Sequence, residues 1–229
     1  MVQKSLTVII PVYNEYENLN NIYEVYNRLL KSKIEFQVII VESGSTDNSK
    51  KYLDRFKRYQ DILILYEKKR NGWGSAVKFA LHKVTKKFFV LFPIDNQYNI
   101  NEIIDYFIKN NISVVTYRNF LDISAYRTFQ SIIFKNICKI LFKLDFLDIN
   151  SLKIIEYKKL FYKKKYINNL SNDWSIDLEF LILIKKEKIN FIERELNVKN
   201  REKGQSKVSK IDIFKMVIKL FYLKFFSKI

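Results

Sequence analysis

The sequence is poor in glycine, proline, cysteine and histidine. Its 229 residues include four glycines, two prolines, one cysteine and one histidine, whereas average usage would supply roughly 16 glycines and 11 prolines. A single cysteine excludes disulfides within the chain and favours a cytoplasmic protein. Because its neighbours are apolar, Cys138 is expected to be buried. One histidine and one cysteine cannot form a zinc site or a Ser/His/Asp triad, and His82 is expected to be structural.

Long apolar runs and an acidic surface are also missing. No run reaches the roughly 18 residues that cross a bilayer, and no signal peptide is expected before the first strand. The net charge is +17, and residues 116–229 carry 24 basic against 12 acidic residues. Such an excess favours an anionic partner, namely a nucleic acid, a membrane surface or a phosphorylated substrate. The lysines are scattered and no stacking motif accompanies them, so nucleic acid is not an expected partner.

Apolar, β-rich runs alternate with helical patterns along the first half of the chain. This alternation predicts an α/β fold, with a mostly parallel sheet and helices on both faces. A single domain is expected over residues 1–210, followed by a basic apolar helix over 211–229. The predicted strands cover residues 6–10, 36–41, 62–66, 88–92 and 113–117, and the predicted helices cover residues 19–30, 49–58, 75–84 and 101–109.

Polar clusters follow four of the five predicted strands. They are Pro11–Glu15, Glu42–Asp47, 95–97 and Arg118. Open parallel sheets bind ligands beyond the carboxyl ends of their strands. The four clusters are therefore expected to converge on one cleft, with Asp47 serving mainly to cap the next helix.

Three segments together resemble the GT-A family 2 glycosyltransferases: residues 7–15, 41–47 and 71–76. Residues 201–207 resemble the closing motif of the dolichyl- or polyprenyl-phosphate sugar transferase branch. The resemblance spans about residues 5–210 and implies a Rossmann-like GT-A fold. It also implies inverting transfer of a sugar from a UDP- or GDP-linked donor to a polyprenyl phosphate or a lipid-linked glycan.

The resemblance also implies a set of donor-binding residues. Tyr13 and Glu15 match residues that stack on and hydrogen-bond the base, whereas Glu42-Ser43 departs from the usual acidic pair. Gly72 and Gly74 precede a helix whose N-terminus favours an anion. The full predicted set is Pro11, Tyr13, Asn14, Glu15, Glu42, Ser43, Gly44, Gly72, Gly74, Gln97, Arg118, Arg201 and Lys207, and Arg127 is a further candidate cation.

The predicted catalytic residues are Asp95, Asp177 and Glu179. Asp95 retains the second carboxylate of the family's Asp-x-Asp metal motif, whereas Pro93 stands at the first. One carboxylate can still hold Mg²⁺ or Mn²⁺ when phosphates and water complete the shell. Asp177 or Glu179 would act as general base toward a sugar hydroxyl, although a lipid phosphate needs no base. Asp148 also matches a family acidic position. Pro93 leaves open a second reading, a catalytically impaired homologue that only binds the nucleotide-sugar.

Two basic, apolar segments are predicted to be helical, residues 124–144 and 211–229. In the first, Lys135, Lys139 and Lys143 recur every four residues among large apolar side chains. Such helices can lie in a membrane interface, which would make the protein peripheral on the inner face of a membrane. The alternative is a helix packed on the sheet, with its lysines reaching out to solvent.

Overall fold

The computed structural model describes residues 4–95, 98–120, 125–162, 165–198 and 218–225. Strands and helices alternate as far as α5, as the apolar pattern predicts. The strands are β1 (Ser5–Val12), β2 (Glu35–Glu42), β3 (Ile62–Tyr66), β4 (Phe88–Leu91), β5 (Ser113–Phe120), β6 (Lys153–Glu156) and β7 (Phe191–Val198). The helices are α1 (Asn21–Ser32), α2 (Ser49–Leu53), α3 (Trp73–Leu81), α4 (Ile100–Asn110), α5 (Ala125–Phe142), α6 (Tyr157–Leu160), α7 (Lys165–Asn169) and α8 (Ile176–Lys186), and residues 218–225 form a C-terminal helix.

The seven strands form one sheet in the order β3-β2-β1-β4-β6-β5-β7. Strand β6 is antiparallel to β4 and β5, and the other neighbours are parallel. Six strands therefore end, and β6 begins, at one edge of the sheet, which we call the carboxyl edge. The mostly parallel α/β prediction is confirmed, whereas β6 and β7 were not predicted.

Apolar residues cover both faces of the sheet. One core joins β1, β2 and β4 to α1 and α4, and it includes Leu6, Val8, Leu29 and Phe107. The other core joins the opposite strand faces to α3, α8 and the C-terminal helix, and it includes Ile9, Phe89, Leu181 and Leu220. Since adjacent strand residues point to opposite faces, the continuous apolar run Val8-Ile9-Ile10 supplies both cores. Helices on both faces are thus confirmed.

Local signals set the ends of the helices. The Asn99 side chain accepts a 3.0 Å bond from the Asn101 amide at the start of α4. Helix α4 then ends at Asn111, whose backbone is left-handed with φ 49°, and α1 ends in the same way at Lys33. Asparagine tolerates this conformation better than most residues, which lets a chain so poor in glycine terminate its helices.

Cys138 and His82 lie in different surroundings. Cys138 is buried, as predicted, and burial raises the pKa of its thiol to about 12. His82 ends α3 on the surface and contacts Asn168 at 3.1 Å. Among the described helices, none has both the length and the apolar character that spanning a bilayer requires. The predicted domain end at residue 210 lies outside the described residues.

Candidate active site

The loops that follow β1 and β2 are joined by hydrogen bonds at the carboxyl edge. Asn14 has a left-handed backbone, with φ 52°. Its amide donates to Ser45 Oγ at 3.0 Å, and its side-chain oxygen accepts from the Thr46 amide at 2.8 Å. Asp47 accepts from the amides of Tyr16 and Ser49, at 3.1 and 2.9 Å. The N-cap of α2 is Asn48, without a side-chain cap bond, so Asp47 bonds the first amide of the helix from one position before the cap. Its bond to Tyr16 joins Asp47 to the loop that carries the predicted base-binding residues.

Glu42 holds the turn at the end of β2. Its side chain is buried, and its Oε1 accepts a 2.5 Å bond from the Ser45 amide. The next residue, Ser43, is also buried, and its amide donates to the Val12 carbonyl at 3.0 Å. Pro11 is buried within β1 itself. These three predicted donor residues therefore lie buried where β1 and β2 end side by side.

Tyr13 directly follows β1 and is half-buried. The guanidinium carbon of Arg70 lies 4.3 Å from the centre of the Tyr13 ring. Glu15 lies nearby, with its Oε2 accepting a 2.7 Å bond from Asn18 Nδ2. Gly44 has φ +70°, and a Cβ there would lie 3.1 Å from the Lys69 Cα, so a side chain at residue 44 would press on the loop after β3. The residues predicted to bind the base thus share one region.

Arg118 and Asp148 form a bidentate ion pair where β5 ends. Arg118 Nε lies 2.6 Å from Asp148 Oδ2, and Nη2 lies 2.9 Å from Oδ1. The Arg118 amide also donates to this carboxylate, at 3.2 Å. Burial opposes ionisation of both groups, but their mutual bonding outweighs it, so the pKa of Asp148 lies below its ordinary value and that of Arg118 above. Two planar groups joined in this way are held in a fixed orientation.

Lys153 and Asp177 form a second pair at the start of β6. Lys153 is almost fully buried, and its Nζ lies 2.7 Å from the Ser151 carbonyl and 3.6 Å from Asp177 Oδ1. Burial lowers the pKa of Lys153, with Asp177 opposing the shift. Burial raises the pKa of Asp177, and Lys153 is the main group opposing it. A carboxylate with a raised pKa is the form that proton transfer near neutral pH needs.

Tyr98 connects these pairs with Asp95. The pKa of its hydroxyl is raised to about 12, mainly by burial; the charge of Arg118 lowers this pKa, and the charges of Asp148, Asp177 and Asp95 raise it. All four charged groups therefore act on one phenol. Asp95 itself is buried just beyond β4. The structure thus brings Asp95, Asp177 and Arg118, predicted separately from the sequence, into one electrostatic environment.

The N-terminus of α3 has a different environment from the one expected. A Cβ at Gly74 would lie 2.2 Å from the Ser171 carbonyl oxygen, and one at Gly72 would lie 2.3 Å from the Asn172 carbonyl oxygen. The Asn172 oxygen also accepts a 3.3 Å bond from the Ser75 amide. A protein carbonyl, rather than an open anion site, therefore lies against this helix end. Both glycines permit close packing of the 171–173 loop, and their role in donor binding stays a prediction.

Glu179 holds the 171–173 loop by hydrogen bonds to Ser171. Its side chain is fully buried, and its carboxylate accepts from the Ser171 amide at 2.8 Å and the Ser171 hydroxyl at 2.5 Å. Burial raises the pKa of Glu179, and these two bonds oppose the shift. The charges recorded as acting on it or responding to it are those of Asp173, Lys219 and Lys78. The structure therefore separates Glu179 from Asp177, and gives Glu179 the geometry of a residue that positions a loop.

Several residues complete the comparison with the sequence. Gln97, Arg201 and Lys207 lie outside the described residues, and so does the Arg127 side chain. Sequence reasoning missed Lys153, Tyr98 and Arg70. Lys153 stands immediately before a short apolar run, Ile154-Ile155, and a lysine at that position of a buried strand was a usable signal. Arg70 belongs to the run Lys68-Lys69-Arg70 directly after β3, and the same rule about strand ends would have found it.

A divalent cation fits this edge only in part. Within the described ranges, no group of three or more His, Cys, Asp or Glu side chains could hold a metal ion. Asp148 and Asp177 are engaged by Arg118 and Lys153, and Asp95 stays the predicted metal residue because it retains the second carboxylate of the motif. One carboxylate oxygen suits Mg²⁺ or Mn²⁺ when most of the shell comes from phosphates and water.

Comparison with known proteins decides the family. The family model described as "Glycosyl transferase family 2" matches residues 7–187. The chain belongs to glycosyl transferase family 2. The matched range begins in β1 and ends just after α8, so it contains the β1 and β2 loops, Asp95, both ion pairs and Glu179.

Curated relatives in this family are similar over part of their length. The chain is 30% identical over 98 residues to the undecaprenyl-phosphate 4-deoxy-4-formamido-L-arabinose transferase of Proteus mirabilis, covering 40% of this chain and 29% of the relative. It is 25% identical over 93 residues to the dolichol-phosphate mannosyltransferase of Pyrococcus furiosus, covering 41% and 26%. The matched segments span about a quarter to a third of the relatives.

Solved structures of this architecture are similar over nearly the whole chain. Glucosyl-3-phosphoglycerate synthase from Mycobacterium tuberculosis, in complex with Mn²⁺, UDP and glucosyl-3-phosphoglycerate, superposes with a TM-score of 0.71 at 12% identity. The superposition covers 96% of this chain and 80% of that one. S. aureus TarS with UDP-GlcNAc gives a TM-score of 0.58 at 15% identity, covering 98% and 68%. At these identities the likeness shows the GT-A fold.

Proposed function

We propose that the protein is an inverting glycosyltransferase that moves a sugar from a UDP- or GDP-linked donor to a polyprenyl phosphate or a lipid-linked glycan. The observation that carries this proposal is the meeting of two sets of residues at the carboxyl edge. One set, with Tyr13, Glu15 and Glu42, lies at the ends of β1 and β2 and in the loop after β1, and its aromatic ring and carboxylates are suited to binding a base. The other set, with Asp95, Arg118 and Asp177, supplies the charges that sugar transfer needs.

The two ion pairs have different roles in sugar transfer: one holds Arg118 for phosphate recognition, and the other holds Asp177 for the acceptor. Arg118 is held by Asp148 with its guanidinium plane fixed, which suits recognition of a phosphate oxygen. Asp177 is kept within reach of the same region by Lys153. Toward a sugar hydroxyl, Asp177 accepts the proton as the oxygen attacks, and such general-base help contributes roughly 10²–10⁴-fold. Toward a lipid phosphate, the nucleophile is already ionised and Asp177 serves only to orient it.

Asp95 is the residue that would hold a divalent cation on the donor diphosphate. When bound there, Mg²⁺ or Mn²⁺ would neutralise charge on the leaving nucleoside diphosphate. This proposal is supported by a structure of similar fold, glucosyl-3-phosphoglycerate synthase, which contains Mn²⁺ and UDP. The loss of the first motif carboxylate at Pro93 predicts weaker metal binding than a complete Asp-x-Asp would give.

An anionic membrane surface is the proposed setting, on the cytoplasmic side. Large apolar residues are exposed on both helices in question, Ile132, Ile133 and Ile140 on α5 and Ile218, Phe221, Tyr222 and Phe225 on the C-terminal helix. The two helices meet where Phe142 and Leu223 line one cavity of about 240 Å³. Lys139, Lys143 and Lys224 are exposed on the same helices or at their ends. Apolar side chains beside lysines are what binding to an anionic bilayer surface requires.

A donor screen tests the proposed function. Thermal unfolding would be followed with UDP, GDP and their sugar conjugates, with and without Mn²⁺, because a ligand that binds the folded state raises its stability. Transfer to a short polyprenyl phosphate would then be measured for the wild type and for Asp95→Ala. We expect loss of most activity and of metal dependence in Asp95→Ala, and near-normal donor affinity in the control Lys135→Ala. Unchanged turnover in Asp95→Ala would contradict the proposal.

The second candidate is a nucleotide-sugar-binding protein without transferase activity, and Pro93 is the observation that favours it. Both candidates predict donor binding. Only the transferase predicts release of the nucleoside diphosphate and labelling of the acceptor. Tight donor binding without either product, over a full range of Mn²⁺ concentrations, would favour the binding-only protein.

A further inference from the structure

The loop after β3 carries three consecutive cations, Lys68, Lys69 and Arg70, and its backbone is held on both sides. The Glu67 amide donates to the Glu42 carbonyl at 2.8 Å, and Glu67 Oε1 accepts a 2.7 Å bond from Ser75 Oγ. On the other side, the Lys69 Cα packs on Gly44. The loop is therefore anchored to β2 and α3 even though its three cationic side chains are exposed.

Arg70 is the one cation of this loop whose contact with Tyr13 the structure records. Its guanidinium carbon lies 4.3 Å from the Tyr13 ring centre, a cation–π distance. Lys68 and Lys69 instead line a cavity of about 630 Å³ on the α3 side, together with Glu67, Ser75 and Phe79. Two neighbours with the same charge thus face a different part of the surface, and only the planar cation covers the predicted base-stacking ring.

We propose that Arg70 is a donor-binding residue that forms the second wall of the nucleobase slot. The base of the donor enters between the Tyr13 ring and the Arg70 guanidinium, and the guanidinium moves outward by the thickness of one ring. This inference rests on the proposed function, because it names a residue of the same donor site. An exposed cation–π contact is weak, so a base that stacks on both planar groups can replace it.

The chemistry of the site favours this role over a simple surface contact. Guanidinium and nucleobase are both flat and both stack on aromatic rings, whereas a lysine ammonium is a point charge and does not. The anchored backbone of residues 67–70 keeps the Arg70 side chain beside Tyr13 before and after the base enters. The positive charge of Arg70 also lies at the edge of the sheet where the donor's diphosphate would follow the base.

Calorimetric titration with UDP and with GDP tests the inference in six proteins: wild type, Arg70→Ala, Arg70→Lys, Lys68→Ala, Tyr13→Leu and the double variant Tyr13→Leu/Arg70→Ala. We expect Arg70→Ala to weaken binding of the preferred nucleotide about 5- to 30-fold, and Arg70→Lys to recover only a small part of this loss. Lys68→Ala removes the same charge from the same loop, and its affinity for the nucleotide should stay within about twofold of wild type. A Tyr13→Leu, Arg70→Ala pair should lose less than the product of the two single losses, since both residues stack on one base.

Four outcomes overturn the inference. Wild-type affinity in Arg70→Ala would place Arg70 outside the slot, and tighter binding would mean that Arg70 only blocks the Tyr13 ring. Full recovery in Arg70→Lys would show that charge alone matters. If wild-type protein binds neither UDP nor GDP, the proposed function fails together with this inference. Matching circular dichroism and urea midpoints would confirm that the variants are folded.

Discussion

Replacing Gly74 by alanine tests why the glycines near α3 were retained in a chain with so few. Gly74 has ordinary helical geometry, and alanine in a helix interior is better than glycine by about 1 kcal/mol. The new Cβ, however, would lie 2.2 Å from the Ser171 carbonyl oxygen and 2.8 Å from the Asn172 carbonyl carbon. Both are backbone atoms, so no rotamer change can relieve the contact. The 171–173 loop must move by roughly 1 Å or α3 must tilt.

The cost can be estimated from what that movement breaks. Overpacking of this kind costs roughly 1–3 kcal/mol, and loss of the Ser75-to-Asn172 bond adds about 1 kcal/mol. The bonds between Ser171 and Glu179 would be strained as well, since Ser171 belongs to the displaced loop. After the propensity gain is subtracted, we expect Gly74→Ala to lower the free energy of unfolding by about 1–3 kcal/mol.

The only two tryptophans make the assay specific. Trp73 and Trp174 stack with ring centres 4.7 Å apart, directly across the strained contact. Urea unfolding followed by fluorescence excited at 295 nm gives the free energy, and the native spectrum reports the stack itself. Lys109→Ala, on the exposed side of α4, is the control for alanine in a helix. An unfolding free energy within 0.5 kcal/mol of wild type, with an unchanged spectrum and lost UDP binding, would refute the steric account and favour a donor role for Gly74.

Three further predictions concern the ion pairs and the exposed helices. Lys153→Met should raise the pKa of Asp177 further, because the charge that mainly opposes the shift is gone. A carboxyl with a raised folded pKa contributes less to the free energy of unfolding as pH rises. The variant should therefore lose more unfolding free energy, relative to wild type, at pH 8 than at pH 5, as measured by urea unfolding. Asp148 has a lowered pKa, so the stability it contributes is present above about pH 3.9 and is lost as pH falls through its folded pKa. The difference in unfolding free energy between wild type and Asp148→Asn should therefore shrink below pH 4. If this difference persists at pH 2, the Arg118 pairing is contradicted. Ile140 is 79% exposed and should insert into a bilayer surface. Ile140→Glu should therefore reduce cosedimentation with anionic vesicles roughly tenfold or more. Equal binding of wild type and variant would show that α5 does not contact the membrane.

The parallel half of the fold could be predicted because its strands are buried on both faces. Runs such as Val8-Ile9-Ile10 carry that signal directly, and the predicted bounds of β3 agree with the structure. Strand β6 is only four residues long, and its apolar pair lies between Lys153 and Glu156, a pattern too short to separate from a loop. Strand β7 lies at the edge of the sheet and contains three charged residues, so it lacks the apolar run of an interior strand.

The candidate site could be predicted where residues directly follow strands, as with Tyr13, Glu42, Asp95 and Arg118. Partners from elsewhere in the chain could not be predicted. No local pattern relates Lys153 to a carboxylate on α8, or Gly74 to a carbonyl of the 171–173 loop. Gly-x-Gly before a helix is typical of anion sites, but the same small residues also permit a close backbone contact, and only the fold distinguishes the two.

Charge balance at the carboxyl edge then constrains how a donor is held. Among the described residues, Arg118 and Lys153 are each paired with a carboxylate, and Asp95 is a further buried acidic group near them. These described pairs bring no excess of positive charge to a diphosphate, despite the +17 charge of the chain. Neutralisation would come from a divalent cation at Asp95, from cations at the rim such as Arg70, or from Arg201 and Lys207, which lie outside the described residues. Because Pro93 stands where the family has a further carboxylate, the rim can carry a larger share here, and activity that survives chelation in wild type but is lost in Arg70→Ala would establish that it does.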